Sequence, residues 1–494
     1  MSEQIKNFIN GQWKPGSGAS FESCDPANGE LIGTANQSTP ADVKEAIDSA
    51  SAAFPAWKAI PQPKRAEIVY KVGDIFKRRK EEIAQLMSRE MGKPIAEARG
   101  DTQEGVDMAY YIASEGRRAW GWTVPSELPN KRMYVERVPL GVCTLITPWN
   151  FPIAIPTWKT FPALVMGNTV VLKPAEDTPL LANKFAEILI EAGVPKGVFN
   201  VVHGSGGPIS DALVTDPRVR MISFTGSSAV GAAIAGKAAP LHKRYSLEMG
   251  GKNPVVVMPD ADMDLAIDAV LWCAFGTTGQ RCTACSRLIL VDPVGDSFVN
   301  KLKERATKLK LGHGADPTTQ VAALINKKAL DKVADYVRIG RDEDKAKLIL
   351  GGERATDGAL SKGNFFKPTL FDHVKQGMRI EQEEIFGPVL SIIRAKSYDE
   401  AIKVANGVKY GLSSSIFTRD VNVVNRFQTD IEAGLVYINA GTTGAEVSTP
   451  FGGHKATGNG HREGGPTVIE AYSELKSVFI DYSGQVQKAQ IDNN

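Results

Sequence analysis

Several residue types that mark other classes of protein are scarce or unsuitably spaced in this chain. Its 494 residues include five cysteines, too few and too scattered for the disulfide framework of a small secreted domain. The six histidines are dispersed and do not stand with cysteines or carboxylates at metal-ligand spacing, so no metal site is expected. No window approaches the ~20 consecutive apolar residues that span a bilayer, so no membrane partner is expected.

An excess of charge of either sign is also missing. The chain has 58 Lys and Arg against 56 Asp and Glu, a net charge of +2. Without a basic run or a basic stripe interleaved with aromatic residues, nucleic acid is not expected as a partner. Residues 1–6 lack the apolar core of a secretory signal peptide, and a cytoplasmic location is expected. These absences favour an enzyme that acts on small molecules.

Two common nucleotide-binding motifs are absent as well. No Gly-x-Gly-x-x-Gly follows a predicted strand, although residues 204–207 (GSGG) come close. A dinucleotide would therefore need a different arrangement of phosphate contacts. Residues 231–238 almost spell a P-loop, but they lie within a predicted helix and lack the Ser or Thr that binds magnesium. Nucleotide hydrolysis is therefore disfavoured.

Short apolar strands alternate with helices along most of the chain, after amphipathic helices predicted at 41–58 and 63–91. Near-continuous apolar strands separated by helices predict doubly wound parallel sheets in an α/β fold. The first series has strands at 143–147, 169–173, 199–202 and 221–225 and helices at 179–193 and 227–239. The second series has strands at 288–291, 347–350, 389–394 and 435–439 and helices at 296–311, 327–338 and 398–405.

The two series predict two α/β domains and an additional arm. We expect a dinucleotide-binding domain in residues 1–118 and 140–250, and a catalytic domain in residues 251–452. Residues 119–139 and 471–494 fit neither series. Each of these segments contains a possible extended run, at 133–136 and 477–481, and the two could pair as a β-arm for oligomerisation.

A candidate nucleophile is Cys282, which follows an apolar helix and a turn of small residues at 276–279. Free cysteine has a pKa of about 8.5, so a nearby base or a helix N-terminus must raise its thiolate fraction. The candidate base is Glu248, at a predicted strand end before Gly250. The Gly, Gln and Arg that precede Cys282 are not typical of a buried structural cysteine. The pair predicts covalent cysteine catalysis.

Cys282 also forms a C-x-x-C motif with Cys285, which is compatible with redox exchange or half of a zinc site. No second C-x-x-C is present, and the carboxylate of Glu248 would then have no role. We interpret Cys285 as an inward-facing small residue. The alternative is a protective disulfide with Cys282 under oxidation.

The carboxyl ends of three predicted strands indicate one ligand crevice, since ligands of open α/β sheets bind there. The residues at these ends are 147–150, 173–176 and 225–227. Glu176 could accept the hydroxyls of an adenine ribose, and Gly226 with Ser227 could receive pyrophosphate at a helix N-terminus. The alternative for Lys173 and Glu176 is an ordinary surface ion pair in a loop.

Taken together, an ordered set of motifs resembles the NAD(P)-dependent aldehyde dehydrogenase superfamily. The motifs are TPWNFP at 147–152, KPAE at 173–176, FTGS at 224–227, LEMGGK at 247–252, GQRC at 279–282, EIFGP at 384–388 and PFGG at 450–453. The resemblance runs from about Phe8 to Tyr482. It implies an enzyme with a cofactor domain, a catalytic domain and a β-arm, assembled as a homodimer or homotetramer.

The resemblance implies that the enzyme oxidises a small aldehyde through a thiohemiacetal and a thioester on Cys282. The Asn150 amide and the Cys282 N–H would hold the oxyanion, and Glu248 would activate the hydrolytic water. The implied catalytic residues are Cys282, Glu248, Asn150 and Lys173. The implied cofactor-binding residues are Ile146, Thr147, Trp149, Lys173, Glu176, Gly206, Gly226, Ser227, Met249, Glu384 and Phe386. NAD is the expected cofactor and NADP is possible, because Glu176 would repel a 2′-phosphate.

The implied substrate-binding residues are Phe151, Trp158, Arg281, Thr283, Ala445, Phe451 and Glu104. Residues 439–446 resemble the branch that oxidises carboxylated semialdehydes such as α-aminoadipic semialdehyde. This likeness suggests that Arg281 and the loop 441–445 hold a terminal carboxylate, with Glu104 pairing to an amino group. In the alternative, Arg281 braces the domain junction and the tunnel takes plain aliphatic or aromatic aldehydes. A catalytically silent binding protein is disfavoured because Cys282 and Glu248 are both present.

Overall fold

The computed structural model describes residues 3–118, 121–488 and 490–491. Its largest elements are two seven-stranded sheets. The first sheet has the spatial order Arg244–Glu248, Val219–Thr225, Val142–Ile146, Thr169–Lys173, Phe199–Val201, Asn7–Ile9 and Gln12–Lys14. The first five strands are parallel, and the last two add an antiparallel edge.

The second sheet has the order Lys347–Leu350, Thr369–Asp372, Val389–Ala395, Cys285–Val291, Asn253–Val257, Ser413–Phe417 and Leu435–Ile438. All pairs are parallel except the one between Lys347–Leu350 and Thr369–Asp372. Smaller pairings join Glu3–Gln4, Leu31–Asn36 and Ser20–Cys24, and also Tyr410–Gly411 and His454–Lys455. The predicted α/β class with doubly wound sheets is confirmed.

Helices cover the sheets and fill the N-terminal region. The α-helices are Pro40–Ala59, Gln62–Arg78, Lys80–Glu90, Ile95–Glu115, Ala154–Val165, Pro179–Glu191, Gly206–Thr215, Ser228–Ala238, Met263–Phe275, Gly295–Thr307, Lys327–Arg338, Arg379–Gln382, Tyr398–Asn406, Val421–Asp430 and Val468–Ala471. Within the part of the chain that is described, no helix is both long and apolar enough to cross a membrane.

Two details of the predicted elements were wrong. The strand at 347–350 runs antiparallel at the edge of its sheet instead of continuing the parallel series. The helix predicted at 63–91 is divided at Arg79, whose backbone leaves helical geometry (φ −94°, ψ 10°). The Arg79 side chain holds this break by pairing with Glu82 and with Glu187 of a neighbouring helix.

Ser473–Asp481 and Lys131–Pro139 pair along their whole length, with Val478 opposite Tyr134. Trp122–Val124 adds a third antiparallel strand. The two extended runs predicted to pair at 133–136 and 477–481 therefore do so. The resulting arm leaves large apolar side chains in solvent, including Leu475, Phe479 and Ile480. Part of the 119–139 segment, residues 119–120, lies outside the described residues.

The connection between the sheets positions the site. Glu248 ends an edge strand of the first sheet, and Asn253 begins a central strand of the second. Cys282 lies just before the strand Cys285–Val291, which pairs with the strand of Asn253. Glu248 and Cys282 are thus brought to the junction of the two sheets.

Candidate active site

A cavity of about 330 Å³ is lined by residues that follow strands of both sheets. Cys282 and Glu248 both line it, as does Met249. All of the predicted substrate-binding residues line it too: Glu104, Phe151, Trp158, Arg281, Thr283, Ala445 and Phe451. Trp158 and Phe451 contact each other edge to face, with ring centroids 5.7 Å apart. The cavity therefore combines aromatic rings with the Cys282 thiol, the Glu248 carboxyl group and further acidic side chains.

Residues 276–284, here called the nucleophile loop, adopt a strained conformation before Cys282. Thr277 (φ 47°) and Thr278 (φ 57°) both lie in the left-handed region, which is unfavourable for β-branched residues. Gly279 follows with φ 70°, and a Cβ at that position would lie 2.3 Å from the Gly387 carbonyl oxygen. Only glycine allows this close approach.

Glu97, on the helix Ile95–Glu115, holds the strained turn. Its carboxylate accepts a hydrogen bond from the Thr277 N–H at 3.0 Å and another from the Thr277 hydroxyl. It also forms a buried ion pair with Arg281, whose Nε donates to the Thr277 hydroxyl at 2.8 Å. The nucleophile loop is thus attached to the N-terminal helical region through a single carboxylate.

The Cys282 thiol is protonated in the free protein. Burial, together with the nearby carboxyl groups of Glu384 and Glu248, raises its pKa to about 12. The Glu248 carboxylate by its charge disfavours a thiolate nearby. Its role as the base for Cys282 stays a prediction. Cys285 is buried and its thiol donates to the Arg287 carbonyl oxygen at 3.5 Å.

Glu248 is buried, and no described residue hydrogen-bonds to either of its carboxyl oxygens. Burial raises its pKa well above the usual value, and the nearby Glu463 adds to the effect. Glu463 in turn forms an ion pair with Lys159, which donates to the Ser223 hydroxyl at 2.9 Å. A carboxyl group with a raised pKa is a stronger base once it has lost its proton.

Asn150, the predicted oxyanion donor, is buried against the nucleophile loop. Its Nδ2 donates to the Gln280 carbonyl oxygen at 3.0 Å. An amide carries two N–H bonds, so this contact leaves one for a second acceptor. The same bond fixes the orientation of the amide relative to the loop that carries Cys282.

Lys173 ends the strand Thr169–Lys173 and is buried, with its Nζ donating to the Pro174 carbonyl oxygen at 2.9 Å. Its Nζ lies 3.9 Å from the half-exposed Glu176 carboxylate. Its side chain also approaches Gly206, at the start of the helix Gly206–Thr215. Lys173 was predicted both as a catalytic residue and as a cofactor-binding residue. It lies with the predicted cofactor-binding residues and does not line the cavity of Cys282.

The remaining predicted cofactor residues follow the strand ends nearby. Ile146 ends its strand, and the next residue, Thr147, has a buried hydroxyl without a partner among the described residues. Ser227 caps the helix Ser228–Ala238 by accepting from the Val230 N–H at 3.4 Å. Gly226 packs against the Phe224 ring so closely that a Cβ would lie 2.5 Å from it.

Two further residues approach from the second sheet. Glu384 accepts from the Gly251 N–H at 3.0 Å, and a Cβ at Gly250 would lie 2.3 Å from its carboxylate. Phe386 contacts Trp149 edge to face, with ring centroids 5.5 Å apart. The predicted cofactor residues of the two halves therefore meet beside the Glu248 to Asn253 connection.

Buried charged groups lie at the cavity near Phe151, where Asp101, Glu104 and Arg281 line it and Lys93 does not. Lys93 and Asp101 form an ion pair of 2.7 Å, and the Lys93 Nζ lies 3.7 Å from the centre of the Phe151 ring. Burial raises the pKa of Glu104 to about 8, with the Asp101 carboxylate contributing. Arg281 therefore braces the nucleophile loop through Glu97 and also borders the cavity, and its predicted binding of a terminal carboxylate stays a prediction.

Comparison with known proteins settles the family. Residues 13–478 match the model of the aldehyde dehydrogenase family. An α-ketoglutaric semialdehyde dehydrogenase of Bacillus subtilis is 42% identical over 96% of this chain and 97% of its own length. The chain belongs to the aldehyde dehydrogenase family. The resemblance drawn from the motifs is confirmed.

Other relatives of this aldehyde dehydrogenase have similar coverage. A succinate-semialdehyde dehydrogenase [NADP(+)] of Escherichia coli is 39% identical over 96% of this chain and 97% of its own. A crystal structure of betaine aldehyde dehydrogenase from Staphylococcus aureus in complex with NAD+ superposes with a TM-score of 0.95. That protein is 32% identical, and the match covers 98% of this chain and 96% of the other.

Three acidic residues that line the cavity of this aldehyde dehydrogenase were missed from the sequence: Glu97, Asp101 and Glu463. Glu97 and Asp101 stand four residues apart and Glu104 three further on, so one face of the helix Ile95–Glu115 is acidic. That spacing could have indicated a buried charged cluster. Lys159 and Glu463 are separated by 304 positions and stand in no motif, so nothing in the sequence indicates their pairing.

Proposed function

We propose that this protein oxidises an aldehyde to the carboxylic acid with NAD as the hydride acceptor. The observation that carries the proposal is that Cys282 and Glu248 line one largely apolar cavity. The Cys282 sulfur, after losing its proton, forms a bond to the carbonyl carbon. The Asn150 amide and the Cys282 N–H stabilise the oxyanion, an interaction worth about 3 kcal/mol of barrier per donor.

Loss of hydride from this adduct leaves a thioester on Cys282. Glu248 takes a proton from water, the resulting hydroxide attacks the thioester carbonyl, and the acid leaves as the thiol reforms. The buried position of Glu248 supports this role, because a carboxylate without hydrogen-bond partners is poorly solvated and therefore basic.

The residues present fit a dinucleotide, which would supply the hydride acceptor. The unpartnered hydroxyl of Thr147 and the N-terminus of the helix Ser228–Ala238 offer donors near the strand ends. Lys173 and Glu176 would hold the adenine ribose, and Glu384 with Phe386 the nicotinamide end. We infer a preference for NAD from Glu176, although the relative from Escherichia coli is named for NADP.

For the substrate we propose an ω-carboxylated semialdehyde. Support comes from relatives named as α-ketoglutaric, succinate and glutarate semialdehyde dehydrogenases, with identities of 38–42%. In the cavity, Arg281 supplies positive charge, and Glu104 with its raised pKa can donate a hydrogen bond when protonated. The second candidate is a general aliphatic or aromatic aldehyde, favoured by the aromatic rings in the lining and by the ion pair of Arg281 with Glu97.

The experiment measures kcat/KM for succinic semialdehyde and for an uncharged aldehyde of matched length, with NAD and with NADP. Cys282→Ala should abolish aldehyde oxidation. If the variant still oxidises the aldehyde, Cys282 is not the nucleophile. Arg281→Ala should lower the ratio of charged to uncharged substrate by about tenfold or more, since a desolvated Arg–carboxylate contact is strong. Arg281→Ala also removes the ion-pair partner of Glu97 and can lower activity toward both aldehydes. Comparing the ratio of the two kcat/KM values removes that shared effect. An unchanged ratio would favour the second candidate.

We also infer the domain division and assembly expected from the sequence. The first sheet falls within residues 1–118 and 140–250, and the second within residues 251–452. The arm is expected in residues 119–139 and 471–494, and the exposed apolar side chains of its strand Ser473–Asp481 support a homodimer or homotetramer. A cytoplasmic location remains part of this proposal.

A further inference from the structure

The backbone that follows Cys282 is held by side chains from outside the nucleophile loop. The Asn253 Nδ2 donates to the Cys282 carbonyl oxygen at 2.7 Å and to the Ala284 carbonyl oxygen at 2.9 Å. The Thr442 hydroxyl donates to the carbonyl oxygen between them, that of Thr283, at 2.7 Å. Three consecutive carbonyl groups are therefore fixed by two side chains.

Asn253 is itself rigidly placed. It is 2% exposed, begins the strand Asn253–Val257, and accepts from the Ser413 N–H at 3.0 Å through its Oδ1. Its amide is thus bonded on both sides, which fixes the orientation of the donor nitrogen. A Cβ at Gly251 would lie 2.6 Å from the Cys282 carbonyl oxygen, so the backbone before Asn253 is also in close contact with the loop.

This arrangement determines where the Thr283 N–H points. In a trans peptide the C=O and the following N–H point in opposite directions. Because Asn253 holds the Cys282 carbonyl on one side, the Thr283 N–H is directed to the other, where it reaches the Cys282 sulfur. Burial dominates the pKa of Cys282 and raises it, whereas the N–H groups of Thr283 and Cys282 lower it.

We propose that Asn253 is a positioning residue for the nucleophile, which aims the Thr283 N–H at the Cys282 sulfur by holding the carbonyl oxygens of Cys282 and Ala284. The inference rests on the proposed catalytic role of Cys282. Asn253 does not line the cavity, so it acts on catalysis through the loop and not through contact with the aldehyde.

The test uses Asn253→Ala and Asn253→Asp, with Ser391→Ala as the matched control. Ser391 lies in the same sheet and donates to the Ile380 carbonyl oxygen at 3.0 Å, so its loss also removes a buried side-chain hydrogen bond. The readouts are kcat, KM and the pH dependence of iodoacetamide alkylation at Cys282, located by peptide mass. If an Asn253 variant does not fold, Thr442→Val tests the same run of carbonyl groups. This change keeps the side-chain shape but removes the hydrogen bond to the Thr283 carbonyl oxygen.

We expect the Asn253 variants to lose about 10- to 100-fold in kcat with little change in KM, since small misplacements of a reacting group have effects of this size. Alkylation should be slower at each pH, with the profile displaced to higher pH. Ser391→Ala should match the wild type in both respects. Asn253 and Thr442 variants that behave like Ser391→Ala would overturn the inference while leaving the proposed function intact. A wild type that oxidises no aldehyde, but whose alkylation still depends on Asn253, would refute the function alone.

Discussion

Burial near other acidic groups raises the pKa of both Cys282 and Glu248. The thiol has a pKa of about 12, and that of the carboxyl group is well above its usual value. The sequence indicated Cys282 and Glu248 as the candidate reactive residues, since a cysteine after a glycine turn and a carboxylate before Gly-Gly are local patterns. It could not indicate their protonation, which depends on burial and on Glu384 and Glu463, more than 100 positions away.

The first expected outcome concerns the reactivity of Cys282 without cofactor or substrate. Only the thiolate attacks iodoacetamide, and a group with a pKa of about 12 gains thiolate about tenfold per pH unit below that value. Alkylation of Cys282 should therefore rise from pH 6 to about pH 9 without a plateau. A plateau near neutral pH, measured by the mass of the Cys282 peptide, would show that the free thiol is already ionised.

The second expected outcome separates acylation from deacylation. Glu248→Gln keeps the size of the side chain but cannot take a proton from water, so kcat should fall by about 100-fold or more. The acyl group should then accumulate on Cys282, visible as added mass on the intact protein after mixing with aldehyde and NAD. If Glu248→Gln turns over at the wild-type rate, Glu248 is not the base.

At the scale of elements, eight of the fourteen strands in the two large sheets were predicted, because their apolar pattern is strong. The strand Ser413–Phe417 was missed because it begins with three serines, which are typical of loops. In the structure these hydroxyls are satisfied by carbonyl groups of Thr442, Leu435 and Ala440, so the strand can be buried. Such partners lie 21 or more positions away and are not apparent from a local pattern.

The helix Ile95–Glu115 and the nucleophile loop should be coupled through Glu97. Glu97→Ala leaves Arg281 as a buried charge without its partner, which should lower the free energy of unfolding by about 3–5 kcal/mol. The double variant Glu97→Ala/Arg281→Ala should lose less free energy of unfolding than the sum of the losses in the two single variants. Lys327→Ala, which breaks an exposed pair with Asp331, is the control and should cost no more than about 1 kcal/mol. Additive effects in urea unfolding would contradict the coupling.

At the scale of the whole molecule, the sequence indicated two α/β domains and an arm, because each has its own pattern of strands. The cavity wall was only partly predictable. Arg281 stood out because it directly precedes Cys282, but its attachment to Glu97 joins residues 184 positions apart. Pairing across such a distance depends on how the N-terminal helices pack against the second sheet. That packing cannot be inferred from a local sequence pattern.

The arm gives the last expected outcome. Phe479 is 63% exposed on the strand Ser473–Asp481, so its side chain contributes little to the fold of one chain. If the arm mediates assembly, Phe479→Asp places a charge in an apolar interface and should reduce the oligomer to smaller species, with the far-ultraviolet circular dichroism unchanged. Lys476→Gln, on the other face of the same strand, is the control. Light scattering after size exclusion measures the mass. An unpaired aspartate buried in an interface would weaken subunit association. A Phe479→Asp protein with the same mass as the wild type would therefore show that this face of the arm lies outside the interface.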